Sequence, residues 1–341
     1  MAVGRGGTKL KDIADLVGCS LATVSNAING RGRMSEDMRR EILAKCAELN
    51  FVPNSAGRSL RLQRADAVGV IYAPSFAELF GNIFYARIME GLSETFGEAG
   101  LDLILGNRKD SDGLPSIVRQ GKVDALVVLA GVFEADAYES LRNCPVPVCM
   151  VDGHVGALEA DAVTSDGFGG GRLVAEYLVR EGHQNVRMVA YKNPLYNIEQ
   201  RIAGFLSGLR ASGVEAREDD VVIRISDNAE AGERVLDSLE SGEAPTAVFA
   251  VNDTLAEYLA TELQKRGKNV PGDVSLVGFD DDPIARRCEP ALTTVGMDKR
   301  VFGSISAGLV LERLAKPEKP LVHHVQPTRM VIRDSVSNLG G

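Results

Sequence analysis

The chain has 341 residues, 45% apolar and 25% charged, with no tryptophan, which is enough apolar material for two or three packed units and excludes a small module or a disordered tail. No run reaches the roughly 18 consecutive apolar residues of a membrane span, and residues 1–9 carry no apolar core of a secretory signal, so a cytoplasmic protein without a membrane partner is expected. The net charge of −9 is uneven: residues 1–64 hold eleven Lys and Arg against six Asp and Glu, and the remaining 277 hold 27 against 41. A basic head on an acidic body suits a chain that meets a polyanion only through its N-terminal piece, with a chance excess of solvated Lys and Arg as the plainer alternative. Five cysteines (Cys19, Cys46, Cys144, Cys149, Cys288) show neither metal nor disulfide spacing.

Leu10, Ile13, Ala14 and Val17 recur at helical spacing, with Thr8 as a cap and Gly18 as a stop, and predict a helix over 9–17. Ser20 caps a second helix, with Val24, Ala27 and Ile28 on its apolar face and Gly30 at its end; Ser35 caps a third, which buries Met38, Ile42, Cys46 and Leu49. Two short helices joined by a glycine-containing turn form a helix-turn-helix signature. The second helix turns Ala22, Ser25, Asn26 and Asn29 outward, with no charged residue from 21 to 30. A solvated face usually carries long Lys and Glu side chains, whereas a helix lying in the major groove needs short ones. Asn26 can offer a bidentate amide to adenine, Leu21 and Ala22 can pack on thymine methyls, and Ser20, Thr23 and Ser25 suit phosphate oxygens. A three-helix packing unit without a DNA role fits the same pattern.

From residue 68 onward, short apolar runs alternate with helical patterns. Strands are predicted at 68–72, 101–105, 125–129 and 146–151, with helices near 82–98, 113–120 and 134–142. The alternation restarts with strands at 187–191, 221–225, 246–250 and 274–279 and helices near 167–181, 198–212, 229–240 and 253–267; a helix near 298–315 follows. This doubling implies an α/β chain with two doubly wound, Rossmann-like subdomains and a ligand cleft at the carboxyl ends of their strands. Residues 167–172 approach a dinucleotide fingerprint, but Arg172 occupies the sixth position and the preceding run 162–166 is a weak strand. The phosphate-loop, zinc-helix and nucleophile-elbow motifs are absent from the sequence. Of the histidines, His323 and His324 are adjacent and would point to opposite faces of a strand, His183 follows a helix end as a capping or packing residue, and His154 is isolated. No cofactor, metal or catalytic residue is expected.

Leu10-Lys11-Asp12-Ile13-Ala14, Val17-Gly18-Cys19-Ser20, Ala22-Thr23-Val24-Ser25, Ile28-Asn29-Gly30, Pro53-Asn54 and Arg58-Ser59-Leu60 resemble, in order and spacing, the N-terminal signature of the LacI/GalR family of bacterial repressors. Farther on, Arg201-Ile202-Ala203-Gly204-Phe205, Phe249-Ala250-Val251-Asn252-Asp253, Val277-Gly278-Phe279-Asp280-Asp281 and Pro290-Ala291-Leu292-Thr293-Thr294-Val295 follow the family's effector-domain motifs. The resemblance implies a helix-turn-helix over 1–52, a hinge helix and linker over 53–66, and a periplasmic-binding-protein-like body over 67–341. Within the body, subdomain 1 takes about 67–163 and 295–324, and subdomain 2 about 166–292 and 327–341. It makes Leu21, Ala22 and Asn26 base readers and adds Asn29, Asn54, Ser55 and Arg58 to the DNA contacts. Leu60 becomes a wedge that unstacks a base step from the minor groove, with an ordinary interdomain contact as the alternative. Gly57 departs from the family's usual helix former and should make the free hinge less ordered.

In the cleft the resemblance places Arg201, Asn252 and Asp280 around a small molecule, commonly a sugar or a nucleobase. The guanidinium donates, the carboxylate accepts and the amide does both, so vicinal hydroxyls can be gripped from two sides. Asp152 is placed to reach the cleft, and Phe76, Phe80 and Tyr196 are candidates for its walls. The duller readings are helix capping by Asn252 and by Asp282 before Pro283, and a structural Arg201–Asp280 pair. Without a heptad repeat after Met330, a homodimer on near-palindromic double-stranded operator DNA is the simplest assembly. The expectation is thus a repressor controlled by a small effector, a carbohydrate first of all, and no enzyme; the rivals are a solute-binding protein with the same body and an enzyme with an appended DNA-binding module.

Overall fold

Ile13, Ala14, Val24, Ala27 and Ile42 are the fully buried side chains around which the N-terminal helices close. The computed structural model describes residues 8–28, 30–49, 51, 64–72, 79, 81–106, 113–129, 135–153, 158–192, 195–240 and 244–340, and it divides into two units, Met1–Arg64 and Ala65–Gly341. In the first, α1 (Leu10–Val17), α2 (Leu21–Ile28) and α3 (Glu36–Glu48) match the predicted helices. Gly18 takes the left-handed φ of 70° that ends α1. Ser20 Oγ accepts from the Thr23 backbone N–H at 3.1 Å, and Ser35 Oγ from that of Met38 at 3.3 Å. Thr8 is not the cap of α1: its hydroxyl donates to the Leu49 carbonyl at 3.4 Å, while Lys9 holds the cap position and its N–H donates to Asp12 at 2.7 Å.

The second unit contains β1 (Ala67–Tyr72), α4 (Ile83–Glu98), β2 (Asp102–Gly106), α5 (Ser116–Arg119), β3 (Ala125–Leu129), α6 (Ala135–Arg142), β4 (Val148–Val151) and β5 (Asp161–Ser165). It continues through α7 (Gly167–Arg180), β6 (Val186–Tyr191), α8 (Tyr196–Ala211), α9 (Glu218–Val221), β7 (Val222–Ile225), α10 (Asn228–Glu240), β8 (Ala247–Ala250) and α11 (Asp253–Lys265). The last elements are β9 (Ser275–Val277), α12 (Pro283–Arg287), β10 (Thr294–Gly296), α13 (Lys299–Ala315), β11 (His323–Gln326) and β12 (Arg329–Val331). Among the described residues the strands form three sheets: β11-β5-β4-β3-β1-β2, β7-β6-β8-β9, and the antiparallel pair β10-β12. All pairings in the two larger sheets are parallel, as βαβ alternation requires.

In β3, Ala125, Val127 and Leu129 join one core and Leu126 and Val128 another, so both faces of the six-stranded sheet are covered. The weak run at 162–166 is in fact a fully buried strand, β5, central enough to pair with both β4 and β11. Two of its polar members find partners there: Thr164 shares a 3.0 Å hydrogen bond with His323, and Asp161 takes two 2.9 Å bonds from Arg313, while the buried Ser165 hydroxyl has none. The four-stranded sheet is centred on Phe205, Phe249 and Phe279. His183 is buried as a packing residue, between Thr246 Oγ1 at 2.9 Å and the Ser337 carbonyl at 3.0 Å. Among the described residues no helix is long and apolar enough to cross a membrane.

Two helix pairs fix the geometry near the strand ends. α7 and α8 touch backbone to backbone: a Cβ on Gly204 would stand 1.9 Å from the Phe168 carbonyl oxygen, and one on Gly171 2.2 Å from that of Arg201. α4 and α13 repeat the device on the six-stranded side, where Gly91 would meet the Arg300 carbonyl at 2.0 Å and Gly303 that of Ile88 at 2.1 Å. No side chain fits at these four positions, and the close approach of α7 sets where α8 presents Arg201.

Candidate functional site

On the N-terminal unit, α2 packs Val24 and Ala27 inward and leaves Ser20, Leu21, Ala22 and Asn26 exposed, with Thr23 and Ser25 half-buried. Leu21 is 48% exposed. The Ser20 hydroxyl lies 2.8 Å from that of Thr23, so the cap and its neighbour form one polar edge at the helix N-terminus, where backbone N–H groups favour anions. Gly30 and Gly32 follow in left-handed conformation, and a Cβ on Gly32 would come within 3.0 Å of Asn26 Nδ2. The turn is thus shaped to leave the Asn26 amide room. Asn29, Asn54, Ser55, Gly57, Arg58 and Leu60 lie outside the described residues.

The second candidate site lies at the seam between the six-stranded and four-stranded sides. Arg201, on α8, is buried and donates from Nη1 to the Val251 carbonyl at 2.6 Å and from Nη2 to Asp280 Oδ1 at 2.9 Å, with its guanidinium 3.8 Å from the centre of the Phe279 ring. The structural pairing of Arg201 with Asp280 is therefore real. It leaves Arg201 Nε buried without a hydrogen-bond partner. Asp152, just after β4, is also buried; Asn197 Nδ2, one turn before Arg201, donates to its Oδ2 at 3.1 Å, and its Oδ1 has no partner. An unfilled donor and an unfilled acceptor thus lie at one seam, although buried polar groups are normally paired.

Asn252 does cap α11, its Oδ1 accepting from the Leu255 N–H at 2.8 Å. Asp282 occupies the cap position before Pro283 but makes no side-chain cap; it pairs instead with Lys299 at 2.9 Å. That correction has a physical cause: Lys299, the first residue of α13, is buried, and its ammonium also donates to the Asp280 carbonyl, so the nearest carboxylate is drawn to the charge. Tyr196 sits half-buried at the start of α8; Phe76 and Phe80 lie outside the described residues. Two surface grooves, of about 320 Å³ beside Glu94 and Arg300 and about 740 Å³ beside Leu141 and Arg313, are lined by none of the residues named for the seam.

Sequence reasoning missed four participants: Tyr85, Asn197, Asp253 and Lys299. Asn197 was legible as the residue four before Arg201 on one helix face. Asp253 accepts from Thr294 Oγ1 at 2.6 Å and from the Asp282 N–H at 2.7 Å, knitting the loop that carries Asp280 to β10. Tyr85 and Lys299 carry no local signal, since long-range folding alone brings them here. Positive φ at Asp152 (57°), Asp280 (107°) and Asp281 (49°) places backbone strain at the same seam.

Burial pushes the Asp152 carboxyl up to about 7, against the pull of Arg201. Burial likewise raises Asp280 to about 6, opposed by Arg201, and lifts Asp253 well above the carboxylate range. The Tyr85 phenol is raised well above its ordinary value by burial and then by the Asp152 charge. Among the described residues no group of three or more His, Cys, Asp or Glu is placed to hold a metal ion.

The family model for bacterial regulatory proteins, lacI family, matches residues 9–54, and that for a periplasmic binding protein-like domain matches 175–336. The HTH-type transcriptional repressor PurR of Vibrio parahaemolyticus serotype O3:K6 (strain RIMD 2210633) is 30% identical over 340 residues, covering 97% of this chain and 99% of that protein. A solved complex of the transcriptional regulator CelR with cellobiose superposes with a TM-score of 0.72 at 26% identity over 96% of this chain and 99% of that one. The lac repressor dimer bound to operator and the anti-inducer ONPF gives a TM-score of 0.83 at 22% identity over 97% and 99%, a likeness of fold.

Proposed function

This chain belongs to the LacI family of bacterial regulatory proteins and is a DNA-binding transcriptional regulator, not an enzyme; from that premise we propose that it is a cytoplasmic, homodimeric repressor whose hold on a near-palindromic operator is set by a small polyhydroxyl ligand taken up at the seam. The helix-turn-helix is assigned to residues 1–52, the hinge and linker to 53–66 and the effector body to 67–341. Leu21, Ala22 and Asn26 read bases, Ser20, Thr23 and Ser25 hold phosphates, and Asn29, Asn54, Ser55, Arg58 and Leu60 complete the contacts. Arg201, Asp280, Asp152, Asn252, Tyr196 and Phe76 receive the effector. CelR, solved with cellobiose, makes a carbohydrate the first class to try.

The observation that carries the effector reading is the juxtaposition of Arg201 Nε and Asp152 Oδ1, one on each side of the seam and both buried without partners. A hydroxyl satisfies either atom, accepting from one and donating to the other. Entry requires the two sides to part at the Asn197–Asp152 contact, and rigid-body opening of that kind strains little when a few hinge residues absorb it. By linkage, the factor by which ligand changes DNA affinity equals the factor by which DNA changes ligand affinity. The test is selection of bound sequences from random duplexes, followed by titration of a sugar and nucleobase panel into the complex at fixed salt. Arg201→Ala should abolish the response to the active compound; a full response in that variant would move the effector elsewhere.

A further inference from the structure

Three consecutive aspartates take cations from three different elements. Asp280 pairs with Arg201 of α8 at 2.9 Å, Asp281 with Arg333, just past β12, at 2.5 Å, and Asp282 with Lys299 of α13 at 2.9 Å. Of the three cations, Lys299 is the one that comes from the six-stranded side. It opens α13, whose Phe302 and Val310 belong to the core of that sheet, and its ammonium holds both Asp282 and the Asp280 carbonyl. The first residues of the body are fastened on the same side: the Ala65 and Asp66 N–H groups each donate to Asp124 at 2.8 Å, immediately before β1 and β3. Arg201, Asn252 and Asp280 stand on the four-stranded side. Any influence that passes between those residues and the start of the body has to cross the seam.

Resting on the effector reading above and naming its route of control, we infer that Lys299 is the positioning residue through which the 280–282 loop and the six-stranded side answer each other. Lys299 and Asp282 are both buried, and breaking a buried pair leaves each charge desolvated and alone. A shift of the loop therefore draws the first turn of α13 with it. α4 has to follow, because the Gly91 and Gly303 contacts leave no side chain to absorb the movement. The Asn197–Asp152 contact also crosses the seam, but it is a single hydrogen bond that ligand entry breaks. Lys299 holds the loop from the other end, where the pair can persist while the seam opens. Coupling between two sites is reciprocal, so operator binding has to register at the loop.

By that reciprocity the test needs no identified effector. The full-length protein is followed by hydrogen–deuterium exchange with and without a duplex selected from a random pool. In the wild type, the duplex should change exchange by at least about twofold in peptides spanning 278–285. Lys299→Met should lose that response while keeping the protection the duplex gives residues 9–28. Asp282→Asn should lose most of it, and the double variant no more than Lys299→Met alone, as expected for one shared contact. Arg313→Lys, at the far end of α13, should destabilise the body and keep the response. An undiminished response in Lys299→Met, or none in the wild type, overturns the inference. So does a response that Arg313→Lys also abolishes, since lost stability alone would then account for it. Should Lys299→Met fail to fold, Asp282→Asn decides by the same criterion. The effector reading is judged separately, by the Arg201→Ala titration described above.

Discussion

Asp152→Asn should stabilise the protein increasingly as pH rises. Asp152 faces Tyr85 from α4, Asn197 and Arg201 from α8, and Asp280 from the loop before α12. Burial raises its carboxyl from 3.8 to about 7, so the folded state binds the proton more tightly than the unfolded one. Stability from this source is fully present below the unfolded value and is lost as pH climbs through the folded one. At 1.36 kcal/mol per unit the whole effect is about 4 kcal/mol, of which roughly 3 kcal/mol falls between about pH 5 and pH 8. Asparagine keeps an oxygen for Asn197 and does not titrate; its extra amide N–H leaves a cost that does not vary with pH. Scanning calorimetry of the body's transition across that window at constant ionic strength should show the variant gaining on wild type by about 6 °C, at roughly 2 °C per kcal/mol for a unit this large. A difference between the two proteins that stays constant with pH would refute the assignment of a buried, proton-retaining Asp152.

Gly204→Ala places a Cβ 1.9 Å from the Phe168 carbonyl, where neither backbone can yield cheaply, and should cost about 3 kcal/mol or more in urea unfolding and weaken ligand binding by displacing Arg201. Arg313→Lys keeps the charge but cannot replace a guanidinium whose bonds go to both oxygens of Asp161 and to the Pro317, Lys319 and Pro320 carbonyls; a loss of about 3 kcal/mol in the same assay is expected. Asn26→Ala should weaken binding to the selected operator by about 1–3 kcal/mol while binding to random duplex at the same salt is unchanged. Gly57→Ala should tighten operator binding by about two- to fivefold, the worth of 0.5–1 kcal/mol in helix propensity, read in a titration at fixed salt.

The N-terminal helices were legible because every signal for them is local. Gly18, Ser20 and Ser35 act within a few residues of their own position, and the structure finds them at their stops and caps. Thr8 misled because two polar residues competed to start α1, and Asp12 reached back to Lys9 instead. The strands at 68–72 and 125–129 were legible as continuous apolar runs. β5 was not, because a strand buried at Asp161, Thr164 and Ser165 reads as polar until its partners, Arg313 and His323, are known from more than 150 residues away.

The seam shows the same division more sharply. Arg201 and Asp280 are placed at the cleft by the family motifs around them, and the alternatives set for them, ligand contact or mutual pairing, do not exclude each other. The pair uses Nη2 and one carboxylate oxygen and leaves Nε open. Asn252 is compatible in the same way, since capping takes its oxygen and leaves its amide nitrogen to donate. A structural role here does not compete with recognition; it holds each side chain so that the remaining polar atom has a fixed direction, and preorganisation of that kind reduces what ligand binding must spend on ordering. The glycines of α7 and α8 extend the argument to the backbone. Gly171 lies against the Arg201 carbonyl itself, so the backbone that carries the Arg201 guanidinium is set by two helices that no side chain separates.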